Sequence, residues 1–170
     1  VDNLYASKVL LECLKNEDNQ LVIISPDAGG TERARAYAKK LAASLAIVDK
    51  RRDQPNRAQA MNIIGDVKGK TAIVVDDMID TAGTLVAAAD ALRDHGASSV
   101  MACCSHPVLS GPAIERIENS SLSKVMVTDT IPLSDDAKKC AKFEVVSVAP
   151  LLGQAIWNIH TESSVSTLFS

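Results

Sequence analysis

Short apolar runs rich in β-branched residues recur along this chain, and segments of helical spacing alternate with most of them. The runs are Leu21 to Ile24, "SLAIVDKRR" at 44–52, "TAIVVDD" at 71–77, "SSVMACCSH" at 98–106, "KVMVTDT" at 124–130 and "FEVVSVAP" at 143–150. Between them lie "LYASKVLLECLKN", "ERARAYAKKLAA", "GTLVAAADALRDHGA", "GPAIERIENS" and, at the end, "LLGQAIWNIHTE". Strands alternating with helices of this length require a mainly parallel sheet with right-handed crossovers. The predicted fold is a three-layer α/β/α domain with a twisted sheet. Aromatic residues supply 3% of the chain against 46% hydrophobic residues in all, so the core has to be built from Val, Ile, Leu and Ala, the palette of a sheet buried on both faces. At 170 residues the chain is one domain by size. Thr31 is the expected cap of the second helix, Gly96 the expected stop of the third, and the polar segment 51–70 shows no clear period.

Composition excludes several partners. A net charge of −3 gives no reason to expect nucleic acid. No apolar run is long enough to span a bilayer, and the first residues form no signal peptide, so a cytoplasmic protein is expected, with a plastid as the alternative. Val1 in place of an initiator methionine points to a longer parent protein. Cys13, Cys103, Cys104 and Cys140 lack the spacing of a zinc or redox pair. Cys103 and Cys104, neighbours in a strand, are expected to enter the core from opposite faces.

In a parallel α/β sheet ligands bind at the carboxyl ends of the strands, and the unusual residues gather there. The first strand ends in Asp27-Ala28-Gly29-Gly30, the second in Asp49-Lys50-Arg51-Arg52, the third in Asp76-Asp77-Met78-Ile79-Asp80, and the fourth in Ser105-His106-Pro107. Within "TAIVVDDMIDTAGTL", at 71–85, Asp80-Thr81-Ala82-Gly83-Thr84 leads into a helix, whose free N–H groups and positive dipole end suit a phosphate. Gly83 allows close backbone approach, and Thr81 and Thr84 add hydroxyls. Carboxylates repel phosphate, so Asp76 and Asp77 need another partner, and the neighbouring hydroxyls of a sugar fit. Diol beside phosphate describes ribose 5-phosphate. The competing reading makes Asp80 a helix cap and Asp76-Asp77 a solvated turn.

"VVDDMIDTAGT" resembles the ribose-phosphate signature shared by type I phosphoribosyltransferases and the ribose-phosphate diphosphokinase (phosphoribosyl pyrophosphate synthetase) family. "SPDAGGTERARAYAKKL", "DKRR", "MNIIGDVKGKTAIVVDDMIDTAGT", "CCSHPVLSGPAIERI" and "SVSTLFS" resemble the synthetase family in order, over essentially the whole chain. The resemblance is to the C-terminal half of that enzyme, so residues 1–170 would be its ribose-phosphate-binding domain, with a homologous N-terminal domain, which carries most ATP-binding residues, missing from this chain. It implies a type I phosphoribosyltransferase-like fold. The implied activity is transfer of the diphosphoryl group of ATP to the 1-hydroxyl of ribose 5-phosphate, giving phosphoribosyl pyrophosphate and AMP.

On this resemblance Lys50 and Arg52 are the catalytic cations. Arg52, Asp76, Asp77, Asp80, Thr81, Ala82, Gly83 and Thr84 bind ribose 5-phosphate, Asp27 is a Mg2+ ligand, and Gly29 and Gly30 admit the diphosphate. Asp2, Ser164, Val165, Ser166 and Phe169 are implied for a regulatory phosphate or ADP site. Residues 53–70 read as a catalytic flap, weakly ordered without substrate. Arg51 and His106 receive no role. The full-length family assembles as hexamers, and the isolated chain is expected to be inactive. A non-catalytic regulatory paralogue, a salvage phosphoribosyltransferase and an inert assembly fragment are the alternatives.

Overall fold

The computed structural model describes residues 3–15, 17, 20–50 and 61–169, with the side chain of Lys50 outside that description. In chain order the elements are α1 (Ser7–Leu14), β1 (Leu21–Ser25), α2 (Thr31–Lys40), β2 (Ser44–Lys50), β3 (Met61–Ile64), β4 (Thr71–Ile79), α3 (Gly83–Asp94), β5 (Ser99–Pro107), α4 (Ala113–Glu118), β6 (Lys124–Thr128), α5 (Asp135–Lys139), β7 (Phe143–Val146) and α6 (Ala149–His160). A 3-10 turn at Ser166–Leu168 follows.

The strands form one sheet in the order β3-β2-β1-β4-β5-β6-β7. Every pairing is parallel except β2 with β3. Period-two alternation sends each strand's side chains into two separate cores. Val22, Ile24, Val74, Val100 and Val125 meet Leu85, Ala88, Ala89 and Leu92 of α3 and Ile117 of α4 on one face. Ile23, Ile73, Val75 and Met126 meet Leu10, Leu11 and Leu14 of α1 and Ala34 and Tyr37 of α2 on the other. These are the three layers expected from the alternating pattern. Cys103 and Cys104 divide between the two cores as predicted, and burial pushes both thiols up, that of Cys104 to about 12, which keeps them protonated.

Three local expectations need correction. Strand β4 does not stop at Asp76-Asp77 but runs on to Ile79, because β5 extends beside it and pairs Met78 with His106 and Ile79 with Pro107. Segment 61–70 is not a loose flap: Met61–Ile64 pair antiparallel with β2, Val67 is buried, and the backbone N–H of Gly69 donates to the Gly96 carbonyl at 2.8 Å. Residues 53–60 of the expected flap lie outside the described residues. Thr31 does not cap α2. Its hydroxyl donates to the Ala28 carbonyl at 2.8 Å, and Gly30 occupies the cap position.

Among the described residues no helix is long and apolar enough to cross a membrane. The C-terminal segment does not fray. Leu168 and Val165 pack with Leu151 and Ala155 of α6 and with Leu4 and Val9, and Lys8 Nζ donates to the Thr167 carbonyl at 3.1 Å.

Candidate functional site

The sheet order sets β1 beside β4, so the turn after β1 and the loop after β4 share one edge. A cleft of about 230 Å³ lies between them, lined by Pro26, Asp27, Asp76 and the whole of Asp80–Thr84. The structure thus brings together two of the four predicted groups of residues at strand ends: Asp27 from the first, and Asp76 with the turn into α3 from the third.

The β4–α3 loop is held in an uncommon shape. Ala82 has φ +58°, the left-handed region that costs a residue with a Cβ about 1–2 kcal/mol. Its methyl is buried in the core that α3 builds, which offsets part of that cost. Residues from the next crossover fix the rest. The N–H of Leu109 donates to the Ile79 carbonyl at 2.9 Å and that of Ser110 to the Asp80 carbonyl at 3.1 Å. Arg116 Nη1 donates to the Thr81 carbonyl at 2.9 Å, and the Ser110 hydroxyl donates to Asp80 Oδ1. Nothing in sequence spacing signals this clamp, since its partners stand 30 and 35 residues apart. Gly83 is needed for a packing reason as well: a Cβ there would stand 3.3 Å from Arg116 Nη1.

Helix α3 starts without a side-chain cap and without an acid in its first turn. The reading of Asp80 as its cap therefore fails, because the carboxylate is turned aside to Ser110. The N–H groups of the first turn, which have no partner within a helix, open onto the cleft with the positive dipole end behind them.

The acid pair has a partner that sequence reasoning missed. Arg33, from α2, sets Nη1 2.9 Å from Asp76 Oδ1 and Nη2 3.1 Å from Asp77 Oδ2. The two carboxylates also engage the backbone: Asp77 N–H donates to Asp76 Oδ1 and Met78 N–H to Asp77 Oδ1, both at 2.9 Å. Asp76 itself lines the cleft. Burial, with the neighbouring Asp77 charge, raises the pKa of Asp76 above the usual carboxylate range. For Asp77 desolvation acts upward too, but its hydrogen bond with Asp76 and the Arg33 charge together hold it below that range. Asp76 is the better acceptor for a sugar hydroxyl, and Asp77 is the more fully engaged of the two.

Asp27 is exposed, and its Oδ1 accepts the Gly30 N–H at 2.9 Å, so it forms the turn into α2. Gly30 is buried, and a Cβ there would come within 3.0 Å of Ser25 Oγ, so close packing explains it without a ligand. Among the described residues no three or more His, Cys, Asp or Glu side chains group as a ready-made metal cage. Magnesium commonly takes only one or two protein carboxylates and completes its shell with substrate phosphates and water. A single exposed carboxylate at the cleft's edge fits that requirement.

Of the remaining predicted residues, Lys50 ends β2, next to β1 in the sheet, while Arg51, Arg52 and Asp2 lie outside the described residues. Ser164, Val165 and Ser166 are tied into the terminal turn. Asn158 Nδ2 donates to the Ser164 carbonyl at 2.9 Å, and the two serine hydroxyls stand 2.6 Å apart. Phe169 lines a larger cavity of about 660 Å³, which meets the cleft at Asp76, with Leu4, Tyr5, Arg33, Tyr37, Asp77 and His106. That cavity is mostly apolar and does not take in the α3 N-terminus, so its size does not make it the phosphate site.

A family profile described as the phosphoribosyl synthetase-associated domain matches residues 52–170. The ribose-phosphate pyrophosphokinases of Bordetella pertussis and Bacillus subtilis are 56% and 51% identical to the chain over 100% of its length, covering 55% and 54% of theirs. The chain thus spans about half the length of these curated relatives. The crystal structure of phosphoribosylpyrophosphate synthetase from Mycobacterium smegmatis superposes with a TM-score of 0.85 at 36% identity, over 93% of this chain and 51% of that one.

Proposed function

The chain belongs to the phosphoribosyl synthetase-associated domain family, and from that premise we propose that it is the ribose-phosphate-binding half of a ribose-phosphate diphosphokinase. The parent enzyme transfers the diphosphoryl group of ATP to the 1-hydroxyl of ribose 5-phosphate, with AMP as the other product. The observation that carries this reading is the start of α3, entered through the left-handed Ala82 and lining one cleft with Asp76, an anion site beside a diol acceptor.

In this reading the 5-phosphate receives hydrogen bonds from the first N–H groups of α3 and the hydroxyls of Thr81 and Thr84, with Gly83 leaving room for it. Asp80, whose Oδ1 accepts from Ser110, shapes the loop and lines the cleft beside the anion. Asp76 accepts the ribose hydroxyls through Oδ2, which orients the anomeric hydroxyl for attack on the β-phosphorus of ATP. The O–P bond to the new sugar ester forms as the bond between the α-phosphate and β-phosphorus breaks, and AMP leaves. Charge grows on the bridging and equatorial oxygens as this happens, and Lys50 and Arg52 are the cations assigned to it. Asp27 would hold magnesium, which when bound neutralises charge on the transferred phosphates. Asp2, Ser164, Val165, Ser166 and Phe169 are proposed to contribute to a regulatory phosphate or ADP site, and the hexameric assembly belongs to the same proposal.

The test is release of AMP from ATP and ribose 5-phosphate by the full-length protein with magnesium. Loss of either cation is expected to lower the rate about 10²–10³-fold. Activity that survived Lys50→Ala and Arg52→Ala together would overturn the assigned chemistry.

A further inference from the structure

The acids at the end of β4 carry the sugar in the reading above, yet two adjacent carboxylates at a half-buried strand end repel each other and lose hydration. The residue that answers both costs is Arg33. Its guanidinium reaches from α2 over the sheet edge and spans the pair in a fork, one nitrogen to each carboxylate. The fork fixes which oxygens remain for a ligand. Asp76 Oδ1 receives both Arg33 and the Asp77 N–H, so Oδ2 is the oxygen these contacts leave for a ligand of the cleft that Asp76 lines. Asp77 has one oxygen on Arg33 and the other on the Met78 N–H. Arg33 lines the larger cavity while Asp76 lines both cavities, so the contact that links Arg33 to the cleft runs through Asp76.

We propose that Arg33 is a positioning residue for ribose recognition: it holds Asp76 and Asp77 ionised and turns the free Asp76 oxygen to the sugar hydroxyls. A lysine cannot do this fully, because an ammonium is a point charge without the planar fork that meets two carboxylates at once. The inference rests on the proposed function and adds to it a residue 43 positions away from the acids it serves.

The groups that bear on Asp76 from its surroundings are Arg33 of α2, Asp77 of β4, Asp27 after β1, and Cys103, Cys104 and His106 of β5. Arg33 is the cation in direct contact with it among the described residues. Removing Arg33 therefore moves protonation of the pair to higher pH. The acidic limb of kcat/KM for ribose 5-phosphate, which reports the free enzyme, moves with it.

The experiment compares Arg33→Met, which keeps the aliphatic stem, and Arg33→Lys in the full-length protein. Arg33→Met is expected to raise KM for ribose 5-phosphate about 10- to 100-fold, to leave kcat within about threefold, and to shift the acidic limb upward in pH. Arg33→Lys should keep the limb near its original place with an intermediate KM. An unchanged KM and acidic limb in Arg33→Met overturns the assignment. Should that variant fail to fold, an unchanged KM in Arg33→Lys overturns it equally. Absence of ribose 5-phosphate binding by the unaltered protein would instead overturn the functional reading, and this inference with it.

Discussion

Helices α3 and α5 begin at the same edge-to-helix step of the fold and resolve it in opposite ways. At α5, Ser134 Oγ accepts the Ala137 N–H at 3.2 Å, and Asp135 and Asp136 place negative charge in the first turn. Each feature is what an isolated helix start favours. At α3 the cap position is an alanine in a left-handed conformation, no side chain accepts from the first turn, and the nearest acid is drawn off by Ser110. The α5 start satisfies itself; α1, α2, α4 and α6 have no side-chain cap either, but among the described helices α3 is the one entered through a left-handed residue, and it is braced from behind by Leu109, Ser110 and Arg116. The difference teaches that the shape of the α3 start comes from the tertiary structure, not from local propensity.

The comparison can be broken most forcefully by giving α3 what α5 already has. Thr84→Asp puts an acid in the first turn of α3. It should lower the affinity for ribose 5-phosphate by about 100-fold or more, through lost donors and like-charge repulsion. Thermal stability should hold or rise, since the acid now complements the dipole. Calorimetric titration together with a melting curve on the full-length protein reads both effects, and a melting temperature that fell along with the affinity would reduce the case to simple misfolding. The reverse change is milder. Ser134→Ala should cost about 1 kcal/mol of stability and leave ribose 5-phosphate affinity unchanged. An affinity loss there would mean that the two helix starts are not as distinct as their geometry makes them.

The same contrast explains what could be read from the sequence. Strands β1, β4 and β5 and helix α3 announce themselves because burial on both faces demands long apolar runs and a clear helical period. The acids at 76, 77 and 80 stand out because a buried strand rarely ends in charge. Strand β3 does not stand out: four residues long, half exposed and antiparallel at the sheet edge, it owes its existence to the pairing of Ile47–Lys50 with Met61–Ile64. Helix α5, of five residues in a polar stretch, is equally silent. Arg33 and Arg116 look like ordinary solvated cations on helices, and only the packed fold carries their side chains to Asp76 and Thr81. Asp27 shows the converse. Its local role as a turn former is what the structure contains, while the magnesium role proposed for it would depend on substrate phosphates that no sequence pattern supplies.

The central claim is that the loop from Asp76 to Thr84 grips a phosphorylated pentose, the sugar by Asp76 and the anion by the start of α3. A crystal structure of the full-length protein with ribose 5-phosphate tests it most directly. The account predicts the phosphate within hydrogen-bond distance of the Gly83 and Thr84 N–H groups and a ribose hydroxyl on Asp76 Oδ2, with Arg33 still spanning the acid pair. A pentose lodged in the larger cavity beside Tyr37 and Phe169, with the α3 start left empty, would contradict it.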